Sequence, residues 1–329
     1  MLGQRIQCTM NEPPAPLPVA EFRDRSTLLL AAGIVEILLG GVCALMVPLM
    51  LWGWAMSAQM GGGQLNYQMM APGVVMYGLL AVTLVWLGIG SIMGRRWARA
   101  LSLILSWSWL LVGVASLISM FFVLPKVLGN AAGGVPVMAV MLIVAVFMGV
   151  IFILIPGALV LCYRSPHVKA TCEVRDPTPR WTDACPLPVL AVSVWQGFGA
   201  VMLLMMPLAY NGVMPFFGVL LTGLPGTFLW VGLGGLWAYL AWGFFNLRPA
   251  AWWITLGALV LLGLSSVLTF MRIDLIEMYR LMGYPEQQIE QIKAFNFFTG
   301  KTALWWMAPF FVPLLGYLVW VKKFFRRGA

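Results

Sequence analysis

Residues 162–185 read CYRSPHVKATCEVRDPTPRWTDAC, the longest polar interval in a chain of 329 residues. Long apolar runs flank it on both sides. The interval holds the only histidine, His167, and three of the five cysteines, Cys162, Cys172 and Cys185. A polar break in the middle of a hydrocarbon-seeking chain divides it into two membrane-embedded halves joined by a connector in water, and that division decides the expected fold.

Composition points the same way. The chain is 61% apolar and 9% charged, against about 45–50% and about 25% in soluble domains. Its formal net charge of +9 comes without a basic stripe interleaved with stacking aromatics, so nucleic acid is not an expected partner. Membrane lipids are, because anionic headgroups attract basic residues at the cytoplasmic face. The first 26 residues have no apolar core ahead of a small-residue cleavage site, so the first hydrophobic run is expected to stay as an anchor.

A helix needs about 20 apolar residues to cross a hydrocarbon core of about 30 Å. That rule places spans at 27–51, 70–93, 100–123, 136–162, 187–209, 217–243, 250–271 and 302–321. The expected fold is therefore an all-α integral membrane protein with eight transmembrane helices in two four-helix repeats of the same orientation. Its parts are an N-terminal segment (1–26), a first membrane repeat (27–162), a linker (163–186), a second membrane repeat (187–321) and a basic tail (322–329). Within the second repeat, 272–300 reads as an external helical hairpin. Apolar residues fall at helical spacing, Gly283-Tyr284-Pro285 breaks the pattern, and Ile289, Ile292 and Phe295 share a face after it.

Orientation follows from the basic residues. With eight spans, fifteen of the 20 lysines and arginines lie on the side that holds both termini and the linker; Lys126, Arg272, Arg280, Lys293 and Lys301 lie opposite. The positive-inside rule makes the linker side cytoplasmic and the membrane the cytoplasmic (inner or plasma) membrane. The repeat is read from a series of matches. Pro16-Leu17-Pro18-Val19 recurs as Pro186-Leu187-Pro188-Val189, Pro72-Gly73 as Pro225-Gly226, Gly90 as Gly243, Arg96 as Arg248, and Gly113 with Ser116 as Gly263 with Ser266. Halves with an even number of spans must share one orientation.

Two sets of residues could carry chemistry. Cys162, His167, Cys172 and Cys185, spaced C-x4-H-x4-C-x12-C, are four side chains of the kinds that bind zinc, in a polar stretch with little apolar content to order it. Zinc is the cofactor they would take, with Cys8 as a substitute for Cys162. The competing readings are a Cys172–Cys185 disulfide, at odds with a reducing cytosol, and a plain connector between repeats. Glu36 is the one acidic residue inside an expected span. Ten residues into the first helix it is expected near the midplane, where a carboxyl must be protonated, paired or hydrated. Gln196, Ser106 and Ser108 are its expected neutral partners.

The chain has no GxxxxGK[ST] loop, GxSxG elbow or HExxH pair. The expectation is a non-enzymatic polytopic scaffold or sensory subunit with a metal-binding linker, working with a membrane-protein partner or as a homo-oligomer. The alternative is a small-solute or ion transporter with a cavity between the halves and Glu36 as coupling group.

Overall fold

The computed structural model describes residues 23–59, 67–131, 137–295 and 300–325. Its long helices are α1 (Ser26–Gln59), α2 (Tyr67–Ile92), α3 (Arg96–Ala131), α4 (Val137–Gly149), α5 (Ile155–Arg164), α7 (Leu187–Ala209), α8 (Leu224–Phe245), α9 (Pro249–Arg272) and α12 (Gly300–Phe325). A π-helical turn, Val150–Leu154, joins α4 to α5 as one rod. Shorter elements connect them: α6 (Pro166–Arg175) in the linker, strands β1 (Met214–Phe216) and β2 (Val219–Leu221), and helices α10 (Leu275–Leu281) and α11 (Glu286–Phe295). Among the described residues, seven helices are long and apolar enough to cross a membrane, so the chain is a multi-pass α-helical membrane protein.

These helices are apolar on nearly every face, so small residues decide where they meet. Between α1 and α2, a methyl at Gly33 would stand 2.6 Å from the Gly88 carbonyl oxygen, and one at Gly88 would stand 2.6 Å from that of Gly33. Bare backbones give this close approach, which replaces the hydrophobic drive that lipid cannot supply. Between α7 and α8 the contact is polar: the Ser193 hydroxyl donates to the Ala241 carbonyl at 2.7 Å.

The π turn has a local cause. Pro156 has no N–H, so the Phe152 carbonyl loses its usual donor four residues on. The helix widens, and the Ile155 N–H reaches the Val150 carbonyl instead. Gly113 of α3 packs directly on the Phe152 carbonyl, where a Cβ would collide with backbone.

Fully buried side chains gather at the linker end of the bundle. Leu29, Leu103, Leu159, Tyr163, Val168 and Cys172 form one cluster in the first half. Val189, Leu240, Phe244, Trp252, Leu318 and Val321 form another in the second. Ile104, Leu190 and Cys185 join the halves, with Phe245 and Leu247 beside them.

The structure corrects several boundaries. The sixth long helix begins at Leu224, not at residue 217, because 214–221 fold as an antiparallel hairpin with Phe216 opposite Val219. Its two-residue turn puts Phe217 (φ 46°) and Gly218 (φ 82°) in the left-handed region that such turns require. Ser265 and Thr269 of α9 accept the amides of Phe217 and Gly218 at 2.9 and 3.1 Å, tying the hairpin to the bundle. Pro72 lies in the second turn of α2 and near the start of its apolar span, Met70–Ile92. Two short helices, α10 and α11, stand where the helical hairpin was expected, and Leu275, Met278 and Met282 pack with Val213 beside the β-hairpin.

The linker is not a plain coil. Its polar sequence hides a helix, α6, that starts with Pro166 in its first turn and buries Val168, Thr171 and Cys172 against the first half.

Candidate functional site

Four helices converge on Glu36. The carboxyl is 2% exposed. Ser91 of α2 donates to Glu36 Oε2 at 3.2 Å, and the Tyr163 hydroxyl of α5 donates to Ser91 Oγ at 2.8 Å. Ser102 of α3 lies against the carboxyl and the tyrosine hydroxyl. Its Oγ is fully buried and meets hydrogen-bond geometry with no partner among the described residues. No salt bridge reaches Glu36 among them either.

The site stands near the linker end of the bundle, by the ends of α2 and α5. Ser91 and Tyr163 are each the next-to-last residue of their helices. Ten residues of α1 precede Glu36 because that helix starts higher than its neighbours: the Arg25 amide, just ahead of α1, donates to Thr171 of α6 at 3.1 Å. Counting residues from the helix start overstates the depth for that reason. Helix α6 roofs the site, with Val168 and Cys172 in the same core as Leu29, Ala32 and Tyr163.

Two of the expected partners of Glu36, Gln196 and Ser108, are engaged elsewhere. Gln196 donates from Nε2 to Thr255 of α9 at 2.9 Å, and its Oε1 is buried without a partner among the described residues. Ser108 accepts from Trp195 Nε1 at 2.7 Å and so helps join α3 to α7. Around that bond the seam between the halves is apolar, built from Ile104, Leu190 and their neighbours.

The four candidate zinc ligands are not brought together. Cys162 and Cys172 share the first-half core, Cys185 belongs to the seam cluster, and His167 is half-exposed on α6. Among the described residues no three His, Cys, Asp or Glu side chains gather as a metal site. Cys8 lies outside those residues. Burial pushes the Cys172 and Cys185 thiols up to about 11. All three linker-region thiols are free, so the disulfide reading is not met.

What orders the linker is Asp176. Its side chain is 2% exposed. Arg180 grips it from Nε at 3.0 and 3.1 Å and from Nη2 at 2.7 Å. The Arg96 amide donates at 3.3 Å, and the Arg95 guanidinium stands 3.7 Å away. The Arg180 hydrogen bonds hold this carboxyl below the usual aspartate range, against the opposing push of burial. Arg96 also reaches Asp183 at 3.7 Å, so the start of α3 and the linker are tied at two points. The i, i+4 spacing of Asp176 and Arg180 was the available signal.

One flank of the bundle is unlike the rest. Among the described residues, none in the apolar window of the α4–α5 rod is fully buried. Leu142, Ile143, Val146, Phe147 and Val150 line an open apolar groove of about 490 Å³, and Leu142 and Phe147 are 66% and 62% exposed.

Comparison of the chain with family models, with curated proteins and with solved structures finds no match.

Proposed function

We propose that this protein is a non-enzymatic membrane subunit, a scaffold whose α4 flank seats a partner helix within the bilayer and whose ordered linker presents a surface to the cytosol. The observation that carries the reading is the α4 flank. It is an apolar rod with no fully buried residue in its apolar window: one side packs on α3 at Phe152, and Leu142, Val146 and Phe147 stand open on the other. The apolar seam between the halves supports a subunit over a transporter with a central path.

The architecture we infer beneath this function is a duplication of four spans, eight in all with α12, both halves pointing the same way and the linker end cytoplasmic. Matching contacts support it. Arg95 and Arg248 each donate a backbone N–H to a glycine carbonyl, Gly90 and Gly243, at 2.9 Å. Gly94 (φ 67°) and Leu247 (φ 53°) close the two turns in the left-handed region, and Ala98 and Ala251 pack on the two glycines. Every pair is separated by 153 residues, which aligns Arg248 with Arg95 and not with Arg96. In the first helix of each half, Gly33 meets Gly88 where Ser193 meets Ala241, a separation of 160 residues between α1 and α7. At that separation Glu36 corresponds to Gln196.

A photo-crosslinking residue placed at Ile143 or Phe147 in cells tests the function. The expected result is a discrete protein adduct at both positions and none at Val82, an equally exposed lipid-facing site on α2. Lipid adducts alone at all three positions would overturn the reading.

A further inference from the structure

We infer that Glu36, Ser91, Ser102 and Tyr163 form a proton-binding site that exchanges with the linker side. The geometry carries this in three steps. The carboxyl is enclosed by α1, α2, α3 and α5, within the last turns of α2 and α5, so the short way out leads under α6 and not across the membrane. Its partners are hydroxyls, each able to donate or accept by rotating. When the carboxyl holds the proton, its O–H donates to the open Ser102 Oγ; when the proton leaves to water on the linker side, Ser102 turns and donates to the carboxylate beside Ser91. Both states are thus hydrogen-bonded, and no other group need change charge.

The corresponding position in the second half shows what a site without exchange looks like. Gln196 fills the place with an amide that donates to one hydroxyl, Thr255, and cannot titrate. The frame therefore does not require a carboxyl there, and the first half has one among convertible partners. The titratable groups that face Glu36 are Tyr163 and Cys162, both on α5. Behind them Cys172 of α6 stands near Cys162 and Arg99 of α3, and Arg99 also faces Glu173 and Asp183. Helix α2 contributes only the Ser91 hydroxyl among the residues facing the carboxyl.

Infrared difference spectroscopy of the full chain in lipid nanodiscs, titrated with acid and base, tests the site. We expect a protonated-carboxyl C=O band that appears and disappears reversibly with pH and is missing from Glu36→Gln. Ser102→Ala should move the midpoint of that band, while Thr255→Ala, its counterpart beside Gln196, should leave it in place. Glu36→Gln copies the amide of the second half, and circular dichroism checks that it folds. Tyr163→Phe provides a second variant, expected to alter the band without abolishing it. A band that persists unchanged over the whole pH range in which the protein stays folded would show a fixed structural acid and overturn the proposal. So would a titrating band that survives in Glu36→Gln.

Discussion

The two halves meet the same problem at the linker end of the bundle and answer it differently. In the first, α1 brings a carboxyl to three hydroxyl-bearing neighbours beneath a helical roof, and α1 and α2 touch backbone to backbone at Gly33 and Gly88. In the second, α7 brings an amide to a single threonine, and α7 and α8 touch through a serine side chain. The cores beside them are equally apolar. On the proposed duplication, the contrast is between a frame that holds a carboxyl among hydroxyls and one that holds an amide at the matching position. The halves also differ at the far end, where the second carries a β-hairpin and two short helices packed together.

The largest effect expected from testing this comparison is at the third helix of each half. Gly113→Ala forces a methyl onto the Phe152 carbonyl, which is backbone and cannot yield cheaply. It should cost about 3 kcal/mol, the upper end for overpacking. Gly263→Ala meets only the edge of the Phe311 ring, 3.0 Å away, and should cost under about 1 kcal/mol because a side chain can shift. Thermal unfolding of the two variants in detergent decides it; equal losses would break the comparison.

Next comes the linker, whose ion pairs outside itself run to the start of α3 in the first half. Asp176→Asn removes the charge that Arg180 and Arg95 share and should lower stability, by less than loss of a fully buried pair because both guanidiniums are partly exposed. The sign of its pH dependence is fixed. Asp176 has a lowered value in the folded chain, so its contribution is complete above the ordinary aspartate value of about 3.9 and is lost as pH falls through the folded one. Amide exchange across 166–183, corrected for intrinsic rates, should quicken below about pH 4 in the native chain and show no such onset in Asp176→Asn. An identical acid profile in both would remove Asp176 from the account.

The smallest effect concerns stability at the comparison's centre. Glu36→Gln gives the first half the group that the second already has, and it should change stability by less than about 1 kcal/mol. The reverse exchange, Gln196→Glu, puts a carboxyl where one hydroxyl must serve it, and it should destabilise more as pH rises, since the ionised form has too few donors. Melting temperatures of the pair across pH check both; a Glu36→Gln variant that fails to fold would mean that the carboxyl holds the four helices together.

How much of this the sequence disclosed depends on which force was at work. Apolar length is a property of each segment alone, so α7 and α9 were legible within a residue of their ends and α1 at its start, as was the turn at Gly283-Tyr284-Pro285. Facing is a property of pairs. Helices apolar all round give no stripe to say which side meets which neighbour, so Glu36 was matched to Ser106, Ser108 and Gln196 in place of Ser91, Ser102 and Tyr163. The β-hairpin was hidden because Phe216–Leu221 is as hydrophobic as a span; its signal was the glycine at 218, where the turn needs a positive φ. Helix α6 was hidden by polarity, although Pro166 and the spacing of Val168 and Cys172 carried it. The cysteines suggested zinc through spacing alone, whereas two of them pack into one core and the third into another.

Everything above depends on two halves that enter the membrane from the same side. Topology reporters inserted in separate copies of the chain at Thr178 in the linker, at Asn246 in the second-half turn and at Gly283 between α10 and α11 test this directly. The account predicts that the reporters at 178 and 246 are cytoplasmic and the one at 283 is external. Reporters at 178 and 246 on opposite faces of the membrane, or a linker reporter outside the cell, would contradict it.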